Sequence, residues 1–245
     1  MTTTLRLLDG RPERLLVVVA HPDDADYAMA GSVARWTAAG SVAQLVCCTS
    51  GDATGDDAGA DPLEVAARRE REQRAAAALV GYEAVVFLHR PEGALVNDLA
   101  LREQLVRIAR TFRPDALAAP DPRTFILPWG RFNHVDHREA GAAAADLVEA
   151  AGNALAFPGL VRSEGLAPHA IPRTYLFWSE QADVAVDISG ALQTKVHAIE
   201  AHASRRDRSG DVEEQVRAWA RGSGAPLGLD AAETFVLVES GPGAP

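Results

Sequence analysis

The chain has 245 residues, 47% of them hydrophobic, which is enough for one large α/β domain with a sizeable core. Its formal net charge of -10 argues against nucleic-acid binding, because that function requires a basic face. No apolar run reaches the roughly 18 residues that a membrane-spanning helix needs. Residues 1–14 also lack the apolar core of a signal peptide, so we expect a cytoplasmic protein.

Predicted strands and helices alternate along the chain. In chain order, the prediction is strand 15–19, helix 27–39, strand 42–48, helix 62–80, strand 84–88, helix 99–112, strand 115–119, helix 138–151, strands 174–178 and 184–188, helices 190–204 and 212–221, and strand 234–238. This alternation favours βαβ units. We therefore expect an α/β fold with a mostly parallel sheet flanked by helices and a small C-terminal strand/helix extension, in one domain spanning residues 1–245.

A polar, glycine-rich loop, Thr49–Ala60, follows the second predicted strand. It lacks the G-x-x-x-x-G-K-[ST] pattern of a phosphate-binding loop. Two interpretations stay open: a mobile wall over a site at the same sheet edge, or an ordinary flexible loop.

Residues 20–24 (A-H-P-D-D) directly follow the apolar run 15–19. An apolar run of this length indicates a strand buried on both faces of a parallel sheet, and open α/β sheets bind ligands at the C-terminal ends of such strands. An imidazole and two carboxylates at this position can supply a pair of metal ligands and a free base. Taken alone, the segment is also compatible with a capped strand-to-helix junction, since Asp is a common N-cap.

A second cluster, residues 134–137 (H-V-D-H), offers the further ligand that a metal site needs. A catalytic zinc ion takes three protein ligands and leaves one position open for water. His21, Asp24 and His137 would provide two imidazoles and one carboxylate. Because the metal lowers the pKa of its water to about 7, the neighbouring carboxylate of Asp23 is placed to act as general base.

His134 lies three residues before His137, so the two share a helix face if a helical turn begins there. A protonated His134 would stabilise the oxyanion or protonate the leaving amine, and Asp136 would raise its pKa and hold it in the charged form. Two histidines and a carboxylate also describe non-haem iron sites. Fe²⁺ or another divalent metal therefore stays open as an alternative to Zn²⁺.

Together, these residues resemble the motifs of the PIG-L/LmbE-like zinc-dependent N-deacetylase family. Residues 20–24 match the first five positions of its A-H-P-D-D-E motif, and residues 134–137 match its H-x-D-H motif. Weaker matches follow in order at Arg69 and Glu72, Arg113–Asp115, Asp187–Ser204 and Ala232–Phe235. The resemblance implies a Rossmann-like domain with zinc at the C-terminal edge of the strands and hydrolysis of N-acetyl groups on amino sugars.

The resemblance also assigns roles to individual residues. The implied zinc ligands are His21, Asp24 and His137. It makes Asp23 the general base and His134 its electrostatic or acid partner, supported by Asp136. Arg69 becomes a candidate for binding substrate oxygens, with an ordinary surface position on the predicted helix as the alternative.

The chain departs from the family pattern at three positions. Ala25 replaces the glutamate that usually follows the two acids, and Arg205 replaces a glutamine. Phe132 stands where some sugar deacetylases carry a tyrosine that donates to the oxyanion. We expect zinc binding to survive the first change. Without the tyrosine hydroxyl at Phe132, either zinc and His134 alone stabilise the oxyanion or the substrate differs, and Arg205 points away from the standard sugar substrate.

We therefore predict a zinc-dependent hydrolase that cleaves the amide of an N-acetyl or N-acyl amino sugar, or of a related polar small molecule. Two alternatives stay open: an amidase of thiol-sugar conjugates, and a non-catalytic metal- or ligand-binding protein of the same fold. A homo-oligomer is also open, since nothing in the sequence determines the oligomeric state.

Overall fold

A computed structural model describes residues 4–54, 59–204 and 212–240. In chain order its strands are β1 (Arg6–Leu7), β2 (Arg14–Val19), β3 (Val42–Thr49), β4 (Ala84–Arg90), β5 (Ala116–Pro120), β6 (Arg173–Phe177), β7 (Val184–Asp187) and β8 (Ala232–Glu239). Its α-helices are α1 (Asp24–Ala38), α2 (Pro62–Val80), α3 (Leu99–Phe112), α4 (Val135–Gly152), α5 (Pro158–Glu164), α6 (Leu192–Glu200) and α7 (Val212–Gly224).

These strands form one sheet in the order β1-β7-β8-β6-β5-β2-β3-β4. Neighbouring strands run parallel except at β8, which lies antiparallel between β6 and β7. The structure confirms the predicted α/β class with a mostly parallel sheet flanked by helices. The predicted C-terminal extension corresponds to α7 and β8, and β8 is an interior strand of this sheet.

Strand β2 is buried on both faces, as its apolar sequence predicts. Successive side chains point to opposite faces: Leu15 and Val17 pack in one cluster with residues of α1, whereas Leu16 and Val18 pack with residues of α3 and α4. Helices thus cover both faces of the sheet and leave its strand ends for the site. Among the described residues, no helix combines the length and the apolar character that crossing a bilayer requires.

The carboxyl ends of β2 and β5 meet at a topological switch point. From β2 the sheet continues through β3 and β4 on one side, and through β5 and β6 on the other. Open α/β sheets bind their ligands in the crevice outside such a point. Residues 20–24 directly follow β2, and the segment after β5 leads to residues 134–137, so the topology brings the two motifs to one crevice.

The helix boundaries differ from the prediction beside the two motifs and at α6, which spans Leu192–Glu200 rather than residues 190–204. Helix α1 begins at Asp24 rather than residue 27, and α4 begins at Val135 rather than residue 138. Both first turns carry carboxylates, which interact favourably with the positive end of the helix dipole. The prediction missed β1, which has only two residues, and the short helix α5, which begins at Pro158.

Candidate metal centre and active site

The first motif leaves β2 through a strained turn. Asp23 has a φ of 87°, in the left-handed region that residues with a side chain rarely adopt. Its carbonyl oxygen accepts hydrogen bonds from the backbone N–H groups of Asp26 and Tyr27, which starts α1. Such strain persists only where surrounding contacts over-determine it, and it clusters at functional sites.

Three side chains from the two motifs direct ligand atoms toward one point. His21 Nδ1 lies 3.1 Å from His137 Nε2 and 3.5 Å from Asp24 Oδ2. Asp24 Oδ1 lies 3.2 Å from His137 Nε2. A tetrahedral zinc ion with bonds of about 2.0–2.2 Å separates its ligand atoms by roughly 3.3–3.6 Å, so this donor set is close to the geometry that such a cation requires.

Outer hydrogen bonds orient both imidazoles for metal binding. His21 Nε2 lies 3.0 Å from Asp136 Oδ2, and His137 Nδ1 lies 2.9 Å from Asn133 Oδ1. Carboxylate and amide oxygens accept hydrogen bonds, so each of these outer nitrogens carries a ring proton, and a cation that binds here would take the place of any proton on the inner nitrogens. Metal-binding histidines are held in this way by their outer partners.

A second group of potential ligands, His21, His134 and Asp136, also lies close together. The carboxylate of Asp136, however, is buried and already accepts two backbone hydrogen bonds, from the N–H groups of Gly93 and Leu95. Together with His21 Nε2, these donors occupy both of its oxygens. Asp136 is therefore better suited to orient His21 than to bind a cation directly, which favours the first set as the candidate metal site.

The electrostatics of the first set suit a cation. Burial alone would raise the pKa of Asp24, but the imidazoles of His137 and His21 lower it well below its ordinary value. Burial alone would lower the pKa of His21, but the carboxylates of Asp24 and Asp136 raise it to about 10. Asp24 is therefore ionised at neutral pH, and a cation that binds here displaces the proton of His21.

A buried arginine holds the side chain of Asp23. Arg69 Nη2 lies 3.2 Å from Asp23 Oδ1 and donates to the carbonyl of Pro22 at 2.6 Å, and Arg69 Nη1 donates to Thr54 Oγ1. Arg69 is only 1% exposed, so the surface alternative for this residue is wrong. Its terminal nitrogens bind other protein groups, which argues against the predicted contact with substrate oxygens and points to a role in positioning Asp23.

A chain of buried hydrogen bonds holds the backbone of Asp23. Gln73 Oε1 accepts from Asp23 N at 2.7 Å, and Gln73 Nε2 donates to Asp26 Oδ2 at 2.8 Å. The same oxygen of Asp26 lies 2.9 Å from His202 Nε2. The sequence does not reveal this network, because Gln73 lies on a helix rich in charged residues and its pattern does not mark this residue as buried.

Glu92 is a further residue that the sequence analysis missed. Its Oε1 lies 3.8 Å from His21 Nε2 and 3.7 Å from Arg69 Nη1. It also accepts hydrogen bonds from Ala53 N and Thr54 Oγ1, which fixes the beginning of the polar loop. A signal was available, since Glu92 follows a strand that ends at the same sheet edge as β2.

His134 borders the ligand set and is partly exposed to solvent. Its ring centroid lies 5.1 Å from that of His21, and its Nδ1 lies 3.7 Å from Asp136 Oδ2. Burial and the nearby charge of His21 lower the pKa of His134 in spite of this carboxylate. Asp136 does raise the pKa of His134, as predicted, but burial and His21 outweigh this effect, and the hydrogen bond of Asp136 goes to His21. A charged His134 therefore stays a prediction that the electrostatics of the site do not favour.

Two of the three departures from the family pattern fall within the described residues. Ala25 is fully buried in α1, so the start of this helix packs without the usual glutamate. Phe132 is 77% exposed and packs edge-on against Phe125. Arg205 and residues 55–58 of the polar loop lie outside the described residues, so the mobile wall stays a prediction.

A parallel α/β sheet with two histidines and a carboxylate at its switch point, and a further carboxylate beside them, defines a metal-dependent hydrolase. Residues 16–148 match the family described as PIG-L: GlcNAc-PI de-N-acetylase, and the chain belongs to this family. The predicted family is confirmed, and with it the class of enzyme, a metal-dependent N-deacetylase.

Similar proteins cover most of the chain. Diacetylchitobiose deacetylase from Thermococcus kodakarensis is 28% identical over 79% of this chain and 70% of its own length. The 1D-myo-inositol 2-acetamido-2-deoxy-alpha-D-glucopyranoside deacetylase of Mycobacterium sp. (strain KMS) is 26% identical over 94% of this chain and 85% of its own length.

A solved structure agrees with these sequence comparisons. N,N'-diacetylchitobiose deacetylase from Pyrococcus horikoshii, complexed with its inhibitor MPG, superimposes with a TM-score of 0.85 at 27% identity. The superposition covers 93% of this chain and 84% of that one. All three proteins are named as deacetylases, which favours deacetylation over the cleavage of thiol conjugates.

Proposed function

We propose that this protein is a zinc-dependent N-deacetylase that hydrolyses the acetamide group of an N-acetylated amino sugar. The products are acetate and a free amine. The observation that carries the proposal is the convergence of His21, Asp24 and His137, with ligand atoms 3.1–3.5 Å apart, directly beside Asp23. The substrates in the names of the relatives support the choice of an acetylated amino sugar.

The proposed zinc ligands are His21 Nδ1, His137 Nε2 and the carboxylate of Asp24. Two imidazole nitrogens and one carboxylate oxygen form a typical catalytic zinc set, whereas Mg²⁺ and Ca²⁺ prefer oxygen ligands alone. When bound, the metal supplies a Lewis acid that polarises the acetyl carbonyl and makes water a stronger nucleophile. Asp136 and Asn133 keep the two imidazoles in the tautomer that this binding needs.

Asp23 is the proposed general base. Its carboxylate accepts one proton as the oxygen of the attacking water bonds to the carbonyl carbon. When the carbon–nitrogen bond breaks, Asp23 returns this proton to the departing nitrogen, so that the protons balance. Arg69 and Gln73 fix the carboxylate and the backbone of Asp23, respectively, so the base is already in place before substrate arrives.

His134 is the proposed hydrogen-bond donor to the oxygen that becomes negatively charged. A neutral imidazole still carries one N–H donor, so the lowered pKa of His134 is compatible with this role. The partly exposed side chain lies beside both histidine ligands, where the acetyl carbonyl would enter. Phe132 has no hydroxyl group and supplies no second donor of this kind.

The proposal is tested by incubating the zinc-loaded protein with N-acetylglucosamine and N,N'-diacetylchitobiose and measuring free amine and acetate. We expect Asp23→Asn to retain zinc by elemental analysis and to lose about 10²–10⁴-fold in kcat. The matched control is Asp146→Asn, at an exposed acid on α4, which should keep full activity. Zinc-loaded protein that releases no acetate from either sugar would instead support the non-catalytic binding protein.

The identity of the metal needs a separate experiment. The protein is stripped with a chelator and reloaded with Zn²⁺ or with Fe²⁺ under anaerobic conditions. We expect Zn²⁺ to restore acetate release, and restoration by Fe²⁺ alone would contradict the choice of metal. A cytoplasmic location is part of the same proposal, and cell fractionation would test it.

A further inference from the structure

Four aromatic side chains form a continuous arc beside the site. The ring of Trp178 lies 4.9 Å from that of the proposed ligand His137, and Trp129 lies 6.2 Å from Trp178. Trp219 follows at 6.0 Å from Trp129, and Tyr27 at 6.4 Å from Trp219. We call Trp178, Trp129, Trp219 and Tyr27 the aromatic arc.

The aromatic arc touches the second motif and ends on the helix that follows the first. Trp178 packs against His137, whereas Tyr27, at the other end, lies in the first turn of α1 with its side chain against the cluster of Val196, Ile199 and Val216. The position of the arc ties it to the substrate side of the site rather than to a remote surface.

The members of the arc come from separate elements of the fold. Trp178 directly follows β6, and Trp219 lies on α7. Trp129 lies at the tip of a short hairpin closed by the bridge between Ile126 and Phe132, where Gly130 supplies a φ of 81°. Trp178 and Tyr27 also pack against hydrophobic clusters of the core, which anchors the two ends of the arc, whereas Trp129 and Trp219 between them are exposed.

The backbone of Trp178 supports the same interpretation. Its φ is 59°, and a bulky residue in this left-handed region is a genuine outlier. Strain of this size persists where surrounding contacts enforce it, and it is frequent in ligand-binding segments. Here the strained conformation accompanies the contact between the indole ring and His137.

Two side chains of the arc are exposed to solvent, which distinguishes them from aromatic residues that only pack in the core. Three of the four tryptophans of the chain belong to it, and the fourth, Trp36, is buried in the core. Trp129 is 46% exposed and Trp219 is 44% exposed, with their planes 25° apart. Contiguous exposed aromatic surface of this kind marks binding sites, whereas isolated exposed side chains do not.

We propose that the aromatic arc is a subsite for a second pyranose ring, linked to the amino sugar that loses its acetyl group. This inference rests on the proposed function and names the substrate class as an N-acetylated disaccharide or larger glycoside. The apolar C–H face of a pyranose packs against an indole face, which is flat, rigid and rich in electrons. A neutral ring suits the arc, because none of its members carries a charge at neutral pH.

The test measures binding by calorimetry, in zinc-loaded Asp23→Asn protein, of N,N'-diacetylchitobiose and of N-acetylglucosamine. We expect the disaccharide to bind about tenfold more tightly than the single sugar. Adding Trp219→Ala should remove most of this advantage and leave N-acetylglucosamine binding unchanged, while Trp219→Phe should keep part of it. Leu155→Ala, at a residue that is 82% exposed and outside the arc, is the matched control.

Kinetics of the wild type and of the single variants then separate the two proposals. If both sugars are cleaved, but the disaccharide has no advantage or the advantage survives Trp219→Ala and Trp129→Ala, the subsite is refuted and the deacetylase stands. If N-octanoylglucosamine, rather than the disaccharide, depends on Trp219, the arc binds acyl chains and the proposed sugar class is wrong. If the zinc-loaded wild type cleaves no N-acetylated sugar, both proposals fail.

Discussion

The two motif segments build one site but are stabilised differently. Residues 20–24 are buried, and the long polar side chains of Arg69 and Gln73 reach across from α2 to hold them. Residues 134–137 follow an exposed hairpin, and the outer nitrogen of His137 donates to Asn133 Oδ1 at the end of this hairpin. Catalytic geometry is thus fixed in the interior, whereas the surface that meets the rest of the substrate stands on elements that can vary without disturbing the core.

The largest effect is expected where the two segments share the metal. His137→Ala removes one of three proposed ligands, so we expect loss of the metal and no measurable deacetylation. Elemental analysis after dialysis against metal-free buffer measures the first effect. The control is His197→Ala, on the exposed side of α6. Full metal content in His137→Ala would mean that the second segment does not contribute a ligand.

A smaller loss of zinc affinity is expected at Asp136, which contacts the proposed ligand His21. Asp136→Asn replaces a carboxylate that accepts from His21 and from two backbone donors, so His21 is less firmly oriented. We expect zinc affinity to fall by about 10–100-fold, measured by competition with a chelator. Asp146→Asn on the same helix should change nothing. An unchanged affinity in Asp136→Asn would show that His21 needs no outer partner.

We expect the buried hydrogen bonds of Gln73, which hold Asp23, to affect kcat rather than KM. Gln73→Met removes both the acceptor for Asp23 N and the donor to Asp26. A displaced base should lower kcat by roughly tenfold to a hundredfold, with KM and zinc content unchanged. Arg68→Met, at an exposed position on the same helix, is the control. A change in KM alone would place Gln73 in substrate binding instead.

The smallest effect on activity is expected at Gly51. Its φ is 70°, and an added Cβ would overlap the guanidinium group of Arg69. Gly165 has the same φ with nothing within 4 Å, so Gly165→Ala isolates the backbone cost of about 1–2 kcal/mol. We expect Gly51→Ala to lower the free energy of unfolding, measured with denaturant, by more than that cost, and to lower kcat modestly. Equal destabilisation of the two variants would show that Arg69 moves aside freely.

The sequence predicted the fold well where the pattern is local. The all-apolar run 15–19 became a strand buried on both faces, and helix 99–112 has the bounds that its N-cap and the following proline predicted. The antiparallel insertion of β8 between β6 and β7 was not predictable, because pairing partners distant in sequence leave no local signal. The two-residue β1 was too short to detect.

At the candidate site, too, the residue types were predictable from local motifs, whereas contacts between residues distant in sequence were not. His21, Asp24 and His137 were identified from residue type and position, and the structure brings their ligand atoms together. The nearer partner of Asp136, His21, was missed because the assignment used closeness in sequence and His21 lies 115 positions away. The predicted partner, His134, lies farther from the carboxylate, at 3.7 Å. Burial of Arg69 was likewise invisible on a helix crowded with arginines.

Strand β8 has a consequence for how the protein acquires its final form. It joins β6 to β7, and β1 reaches the sheet only through β7, so this edge cannot assemble until β8 has left the ribosome. Glu233 on β8 also accepts hydrogen bonds from Gly31 and Ser32 of α1, the helix that begins at Asp24. A nascent chain that stops before residue 232 would therefore lack both the strand that joins β6 to β7 and the Glu233 contacts of α1, so these two features form together and late in biogenesis.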